Sequence, residues 1–254
     1  MDPRLVIKIR QKEILAKIEA NSPFEVTNTT RIIKKYFLKP PRFVRCVIGS
    51  LGLHQKSVLE IGCSYGQSLL YWGEGSEAIE VEKTYHDWLK GMGVTFHEAN
   101  VEDGFGAIQK KFDVVVTNNL FEHIVAPHLY LARIFNALND DGVLVIGHPL
   151  VPSVWVRWFW KAIGYQGWLA GEHVNFFTPH TARLTIERAG FEVKHQYFPP
   201  LKTGVHFIDQ LILPFAVQCV SECRKVPGYK YHSSRKPVFD PVWARTDVSQ
   251  FHDQ

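Results

Sequence analysis

The sequence predicts an α/β fold built on a doubly wound, largely parallel sheet. Three observations predict it. A short apolar run at residues 58–61, VLEI, leads straight into a turn carrying Gly62 and Gly66. A longer run at residues 112–117, FDVVVT, is almost continuously apolar, as in a strand buried on both faces. Around these runs, segments with helical spacing alternate with short β-rich segments, which is the pattern of a sheet covered by helices. A chain of 254 residues, 46% hydrophobic and 21% charged, suffices for one large domain with a substantial core.

The first strand spans residues 57–61, and Gln67–Trp72 opens a helix after the glycine turn. EAIEVE at residues 77–82 reads as a second short strand ending in acid. Residues 94–98 form a third strand and residues 112–117 the fourth. Pro127 marks a helix start, and Leu129, Leu131, Ile134, Phe135 and Leu138 recur with helical spacing. Asn139-Asp140-Asp141-Gly142 breaks that helix, and residues 142–147 make a fifth strand. GEHVNFFTPHTARLTIERAGFEV, residues 171–193, contains a helix, a stop at Ala189-Gly190 and the start of a sixth strand over 191–198. A last strand is expected at residues 242–245, on a sheet edge.

The glycine turn has the form of a cofactor cradle. A buried strand running into such a turn leaves backbone N–H groups pointing outward, and glycine lets a ligand approach closely. A dinucleotide fold would show G-x-G-x-x-G. Here Ser64 takes the middle position and Gln67 the last, so that pattern fails. Glu60, two residues before Gly62, is a carboxylate suited to a cationic amino group. Glu82 lies 20 residues beyond Gly62, where a ribose-binding acid is expected. Glu80 shares its strand face by period two, so the role falls to one or the other.

The stretch Glu60-Ile61-Gly62-Cys63-Ser64-Tyr65-Gly66 resembles motif I of the class I S-adenosylmethionine-dependent methyltransferases, E/D-x-G-x-G-x-G. The order FDVVV…FEHI…ARIFNALNDDGVLVI resembles the fourth strand, loop, helix and fifth strand of the small-molecule members. GEHVNFF, with the helix and strand after it, resembles the later part, and the likeness covers about residues 58–197. It implies a Rossmann-like, doubly wound sheet of seven strands with one reversed; the residues outside the motifs add an N-terminal helical cap and an aromatic lid insertion. The resemblance implies S-adenosyl-L-methionine as cofactor. Its contacts would be Glu60, Gly62, Cys63, Ser64, Tyr65, Gly66, Glu82, Asn100, Val101, Asn118, Asn119 and Leu120. At the position of Asn100 the family usually has an Asp that meets the adenine amino group. Enzymes acting on nucleobase amines often carry an Asn/Asp-Pro-Pro-aromatic stretch after the fourth strand. Asn118-Asn119-Leu120-Phe121 has no proline, which favours transfer to oxygen.

A hydroxyl acceptor benefits from a general base. His123, His148 and His173 stand at strand ends or beside the insertion. His173 is the first choice and His123 the second, each weighed against a purely structural role. No metal-ligand spacing is visible, and no metal is expected. Two other activities stay open: a nicotinamide-dependent oxidoreductase on a related sheet, and a cofactor-binding regulatory protein without catalysis.

Residues 1–50 form the cap, and 51–200 the methyltransferase core with its lid at about 150–176. Residues 201–254 hold a C-terminal helix, the last strand and a tail. Residues 1–45 contain eleven Lys/Arg and four acids, +7, so the rest of this +4 chain carries −3. Leu5, Ile9, Ile14, Leu15 and Ile18 suggest an amphipathic helix there, with a second short helix near residues 30–38. The basic segment covers the cofactor, meets an anionic surface or substrate, or packs on the core. The body of the chain supplies no basic field, so nucleic acid is not an expected partner. Trp155, Trp158, Phe159, Trp160, Tyr165 and Trp168 read as a lid over an apolar, small-molecule or lipid-like acceptor. Core packing and peripheral membrane contact are the rivals. Residues 205–220 are too short and polar to span a membrane. Cys46, Cys63, Cys219 and Cys223 read as free thiols, with Cys219 and Cys223 able to lie one helical turn apart. A cytoplasmic protein, in solution or on a membrane surface, is the expectation.

Overall fold

The computed structural model describes residues 3–21, 41–152, 154–162, 164, 171–199 and 215–229. The expected helix near residues 30–38 and strand at 242–245 lie outside these residues. So do 205–214 of the apolar stretch and 165–170 of the aromatic insertion.

Among the described residues, seven strands form one sheet in the order β3-β2-β1-β4-β5-β7-β6. They are β1 Val58–Ile61, β2 Glu77–Ile79, β3 Phe96–His97, β4 Phe112–Asn118, β5 Leu138–Pro149, β6 Phe191–Tyr197 and β7 Gln218–Lys225. β1 to β5 pair in parallel. β7 runs antiparallel to both β5 and β6, between them. The reversed strand is residues 218–225, in the sheet interior. Its sequence, QCVSECRK, hides it, because a strand flanked on both sides can bury polar groups that find partners. Tyr197 Oη donates to Glu222 at 3.0 Å, and Lys225 Nζ donates to the Leu138 carbonyl at 3.0 Å. Cys219 and Cys223 thus lie on a strand, not a helix, and with Cys63 they are buried free thiols.

Alternation sorts the strand side chains into two cores. Val58, Val114, Val116, Val143 and Val145 face one layer, made by α1 (Pro3–Asn21), α2 (Arg42–Leu51) and α3 (His86–Gly91). Leu59, Ile61, Val115, Leu144 and Ile146 face the other, made chiefly by α4 (Pro127–Ala137) and α6 (Pro179–Glu187). Pro127 opens α4 as expected, since its fixed φ suits the first helical position. Thr178 and Thr181 form a reciprocal cap at the start of α6. α5 (Val154–Ala162) lies in the aromatic insertion.

The turn after β1 and the start of β5 also differ from expectation. The helix expected to open at Gln67–Trp72 is a single 3-10 turn, Leu69–Tyr71. Ser68 Oγ and Trp72 Nε1 both donate to Glu60, which draws the segment onto the end of β1. The Gly73 N–H then bonds the Leu53 and Lys56 carbonyls, at 3.0 and 3.1 Å, and stops the helix. α1 lies against that turn and against α2, so Ile14 and Ile18 fill the core beside it. Leu5 and Ile9 stay exposed. The second difference is β5, which begins at Leu138 because that residue already pairs with Phe112 across a bulge in the ladder.

Candidate active site

The carboxyl ends of β1, β2, β3 and β4 border a cleft lined by Gly62, Glu80, Ala99, Asn100, Leu120 and His123, among others. In an open α/β sheet this is where ligands bind. Gly62 has φ +74°, and its N–H donates to the Ile79 carbonyl at 2.9 Å. A Cβ added there would sit 3.4 Å from Leu120, so any longer side chain would enter the cleft. Ser64 also adopts a left-handed backbone, φ +53°, where most of the resembling family has glycine. Its N–H donates to Glu80 Oε2 at 2.7 Å, which holds that conformation.

Glu80 is the acid at the tip of β2. It is buried, and its Oε1 accepts the Glu82 N–H at 2.9 Å. A carboxylate offers about four acceptor sites, so two remain for a ligand. Glu82 does not line the cleft. Its carboxylate accepts from the Thr84 hydroxyl at 2.7 Å and the Thr84 N–H at 3.2 Å, and these bonds hold it below the usual carboxylate range. The strand ends at Ile79, earlier than read from the sequence, and that moves the tip position to Glu80.

Several other expected contacts build the cradle without lining the cleft. Glu60 is buried, with Trp72 Nε1 donating at 2.8 Å alongside Ser68. Burial pushes its pKa up to about 7 against those two hydrogen bonds, and the charge of Glu80 raises it further. The Cys63 carbonyl accepts the Gly66 N–H at 2.8 Å, and burial pushes the Cys63 thiol well up. The Tyr65 carbonyl accepts from Trp88 Nε1 at 2.9 Å. Asn118 and Asn119 brace the end of β4: Gln218 Nε2 donates to their side-chain oxygens at 2.9 and 3.2 Å. Asn118 packs so tightly on Gly147 that a Cβ there would fall 2.1 Å from its Oδ1. Asn100 and Val101 do line the cleft, and Asn100 Oδ1 also accepts the Glu102 N–H at 3.1 Å.

His123 and His173, 50 residues apart in the chain, come together at the rim. Their rings lie 4.9 Å apart, edge to face. Both present Nε2 to Glu122 Oε1, at 3.8 and 3.9 Å. Glu122 was not singled out from the sequence. The signal was there, as a Glu-His pair at 122–123 repeated at 172–173. Backbone bonds fix the pairing: Val174 and Asn175 N–H both donate to the Glu122 carbonyl at 2.9 Å. The Glu172 carbonyl lies 3.0 Å from His123 Nδ1. Burial raises the Glu122 pKa and lowers that of His173, where His123 lowers it further. His148 belongs to the core instead. It is fully buried against the stacked pair Phe121 and Phe177, and burial pushes its pKa down to about 4.

The aromatic helix α5 carries Trp155, Trp158 and Phe159 on its exposed side, while Val156 is buried. Phe215 meets the Trp155 and Phe159 rings edge-on, at 5.2 and 6.0 Å. No described helix is long and apolar enough to cross a membrane.

The chain matches a family model described as a methyltransferase domain over residues 10–196. It is 23% identical over 233 residues to a ubiquinone biosynthesis O-methyltransferase of Haemophilus ducreyi, a match covering 84% of each chain. Among solved structures it resembles a possible histamine N-methyltransferase of Thermotoga maritima, with a TM-score of 0.54 and 16% identity, covering 79% of this chain and 96% of that one. It also resembles a Haloferax volcanii methyltransferase solved with the activator Trm112, with a TM-score of 0.55 and 11% identity, covering 79% and 95%. The nicotinamide-dependent and non-catalytic alternatives give way to this match. The cofactor fits the cleft, which offers a glycine floor at Gly62 and a buried carboxylate at Glu80 with acceptor sites to spare. The chain belongs to the class I S-adenosylmethionine-dependent methyltransferases.

Proposed function

We propose that this methyltransferase acts on a hydroxyl group of a small-molecule or lipid-like acceptor. The observation that carries the reading is the meeting of His123 and His173 on Glu122, at the rim of the cofactor cleft. When bound, S-adenosyl-L-methionine supplies a methyl group already activated by its sulfonium. The chain's own residues then have to align the acceptor and keep water out, which can lower a barrier by several kcal/mol. Glu80 would hold the ribose hydroxyls, with Asn100 and Leu120 beside the adenine. His173, first, and His123, second, would orient the acceptor hydroxyl and draw off its proton. The exposed aromatics of α5 and Phe176 would wall an apolar acceptor. The Haemophilus relative is itself named as an O-methyltransferase, which supports oxygen.

Two measurements check this reading. In calorimetry with S-adenosylhomocysteine, Glu80→Ala should weaken binding at least tenfold and Glu82→Ala less than twofold. The reverse order would return the ribose to Glu82. Transfer of labelled methyl from the cofactor into a cell extract, with mass spectrometry of the products, should give methyl ethers in the small-molecule or lipid fraction. His173→Ala should lower that transfer at least tenfold and leave S-adenosylhomocysteine affinity within about threefold. Label concentrated in protein or nucleic acid would contradict the acceptor class.

A further inference from the structure

Among the described residues, Glu122, His123 and His173 are the one group of three side chains with metal-ligand chemistry whose donor atoms all lie within 4.8 Å of one another. Their arrangement is not that of a hydrogen-bonded triad. His123 Nδ1 faces the Glu172 carbonyl at 3.0 Å, and a carbonyl can only accept, so Nδ1 carries the proton. His123 Nε2 is the nitrogen left to face Glu122 Oε1, at 3.8 Å. His173 Nε2 faces the same oxygen at 3.9 Å. Both distances exceed hydrogen-bond reach. The other carboxylate oxygen, Glu122 Oε2, is buried with no hydrogen-bond partner, although Glu122 is only 2% exposed. An orphaned carboxylate oxygen at such depth is unfavourable unless something fills the gap.

From these contacts we infer that Glu122, His123 and His173 hold a divalent transition-metal ion of the zinc class, with open positions facing the cofactor cleft. Two imidazoles and one carboxylate are a donor set such ions accept with positions to spare. Bonds of about 2.1 Å around a tetrahedral ion would place the ligands roughly 3.4 Å apart. The imidazoles therefore close inward by about 1 Å or less on Glu122, by side-chain rotation alone. The Glu172 carbonyl on His123 Nδ1 is the outer partner that orients a ligating imidazole. The two backbone bonds to the Glu122 carbonyl fix the loop that carries His173.

His123 also lines the cofactor cleft, so the open side of the ion faces the incoming acceptor. This deepens the hydroxyl reading above and rests on it. An acceptor hydroxyl bound to the ion loses its proton to water more readily. An oxygen lone pair then forms the O–C bond. The C–S bond breaks, its electron pair stays on sulfur, and the products are the methyl ether and S-adenosylhomocysteine. With the ion bound, this replaces the proton transfer to His173 or His123 given above: both imidazoles are ligands that position the acceptor hydroxyl, and its proton goes to water.

The test uses full-length, tag-free protein stripped with a chelator, then titrated with Zn2+ by calorimetry and with Co2+ by visible absorption. The expected result is one equivalent of each, with the intense absorption of a four- or five-coordinate cobalt centre. His173→Ala and His173→Gln should each weaken Zn2+ binding at least 100-fold, while S-adenosylhomocysteine still binds within about threefold. A wild type that binds S-adenosylhomocysteine but neither ion overturns the metal site and leaves the methyltransferase assignment standing. A site that survives both His173 variants overturns this ligand set. Failure of the wild type to bind S-adenosylhomocysteine would instead strike the cofactor cleft on which the proposal rests.

Discussion

Gly62→Arg should abolish S-adenosylhomocysteine binding, with a loss of at least 100-fold in calorimetry. Gly62 sits between β1 and the cleft with φ +74°, a region that penalises any residue with a Cβ. The added Cβ would already touch Leu120 at 3.4 Å, and the rest of the arginine would occupy the space the cofactor needs. The Gly62 N–H is committed to the Ile79 carbonyl, so the backbone cannot swing aside without breaking the β1–β2 end. Gly62→Ala is the graded control. Alanine carries the backbone strain and only an ordinary contact, so it should weaken binding roughly tenfold or less. Unchanged affinity in Gly62→Arg would place the cofactor elsewhere.

The second large effect concerns stability. Glu60 and His148 are both buried, and each is held away from its ordinary pKa in the opposite direction. Glu60 is raised from 4.5 to about 7. Below pH 4.5 it is protonated in both folded and unfolded chains. Between 4.5 and 7 the unfolded chain releases the proton and the folded one keeps it, so stability falls as pH rises. His148 is lowered from 6.5 to about 4. Its contribution is present above pH 6.5 and is lost as pH falls toward 4, because only the unfolded chain takes up the proton. Each interval is worth roughly 3 kcal/mol. Between pH 4.5 and 6.5 the two slopes oppose each other, so either substitution exposes the other residue. Glu60→Gln keeps an acceptor for Trp72 and gains a donor for Ser68. It should be more stable than wild type at pH 8 by up to about 3 kcal/mol, with that advantage gone by pH 4.5. His148→Leu should shift the comparison the other way, gaining on wild type as the solution is acidified. Urea unfolding at pH 4.5, 6 and 8 measures both. A difference from wild type that does not change with pH would contradict the burial of charge at these two sites.

The sheet was legible wherever side chains alternated or ran apolar between turn residues. β4 and α4 show this best, because Val114, Val115 and Val116 leave no other reading and Pro127 marks the helix start. β7 was not legible. Ser221, Glu222 and Lys225 are buried there through partners on β6 and β5, and a one-dimensional pattern does not reveal partners. The turn after β1 failed for a related reason. Gln67–Trp72 has acceptable helix formers, yet Glu60 captures Ser68 and Trp72 and Gly73 closes the segment. In the site, spacing pointed to Glu82, two residues beyond the carboxylate that lines the cleft. Glu80 was kept as the alternative to Glu82, and the early end of β2 decides where each carboxylate points. His123 and His173 were each placed near the acceptor from their neighbours in sequence. Their joint contact with Glu122 depends on a loop crossing 50 residues of chain, which only the fold supplies.

The measurement that bears most directly on the cofactor cleft is a crystal structure of the complex with S-adenosylhomocysteine. The ribose hydroxyls should lie on Glu80, the adenine beside Asn100 and Leu120, and the sulfur should point toward His123 and His173. A ribose on Glu82, or a sulfur directed away from the two histidines, would contradict this placement of the cofactor and acceptor.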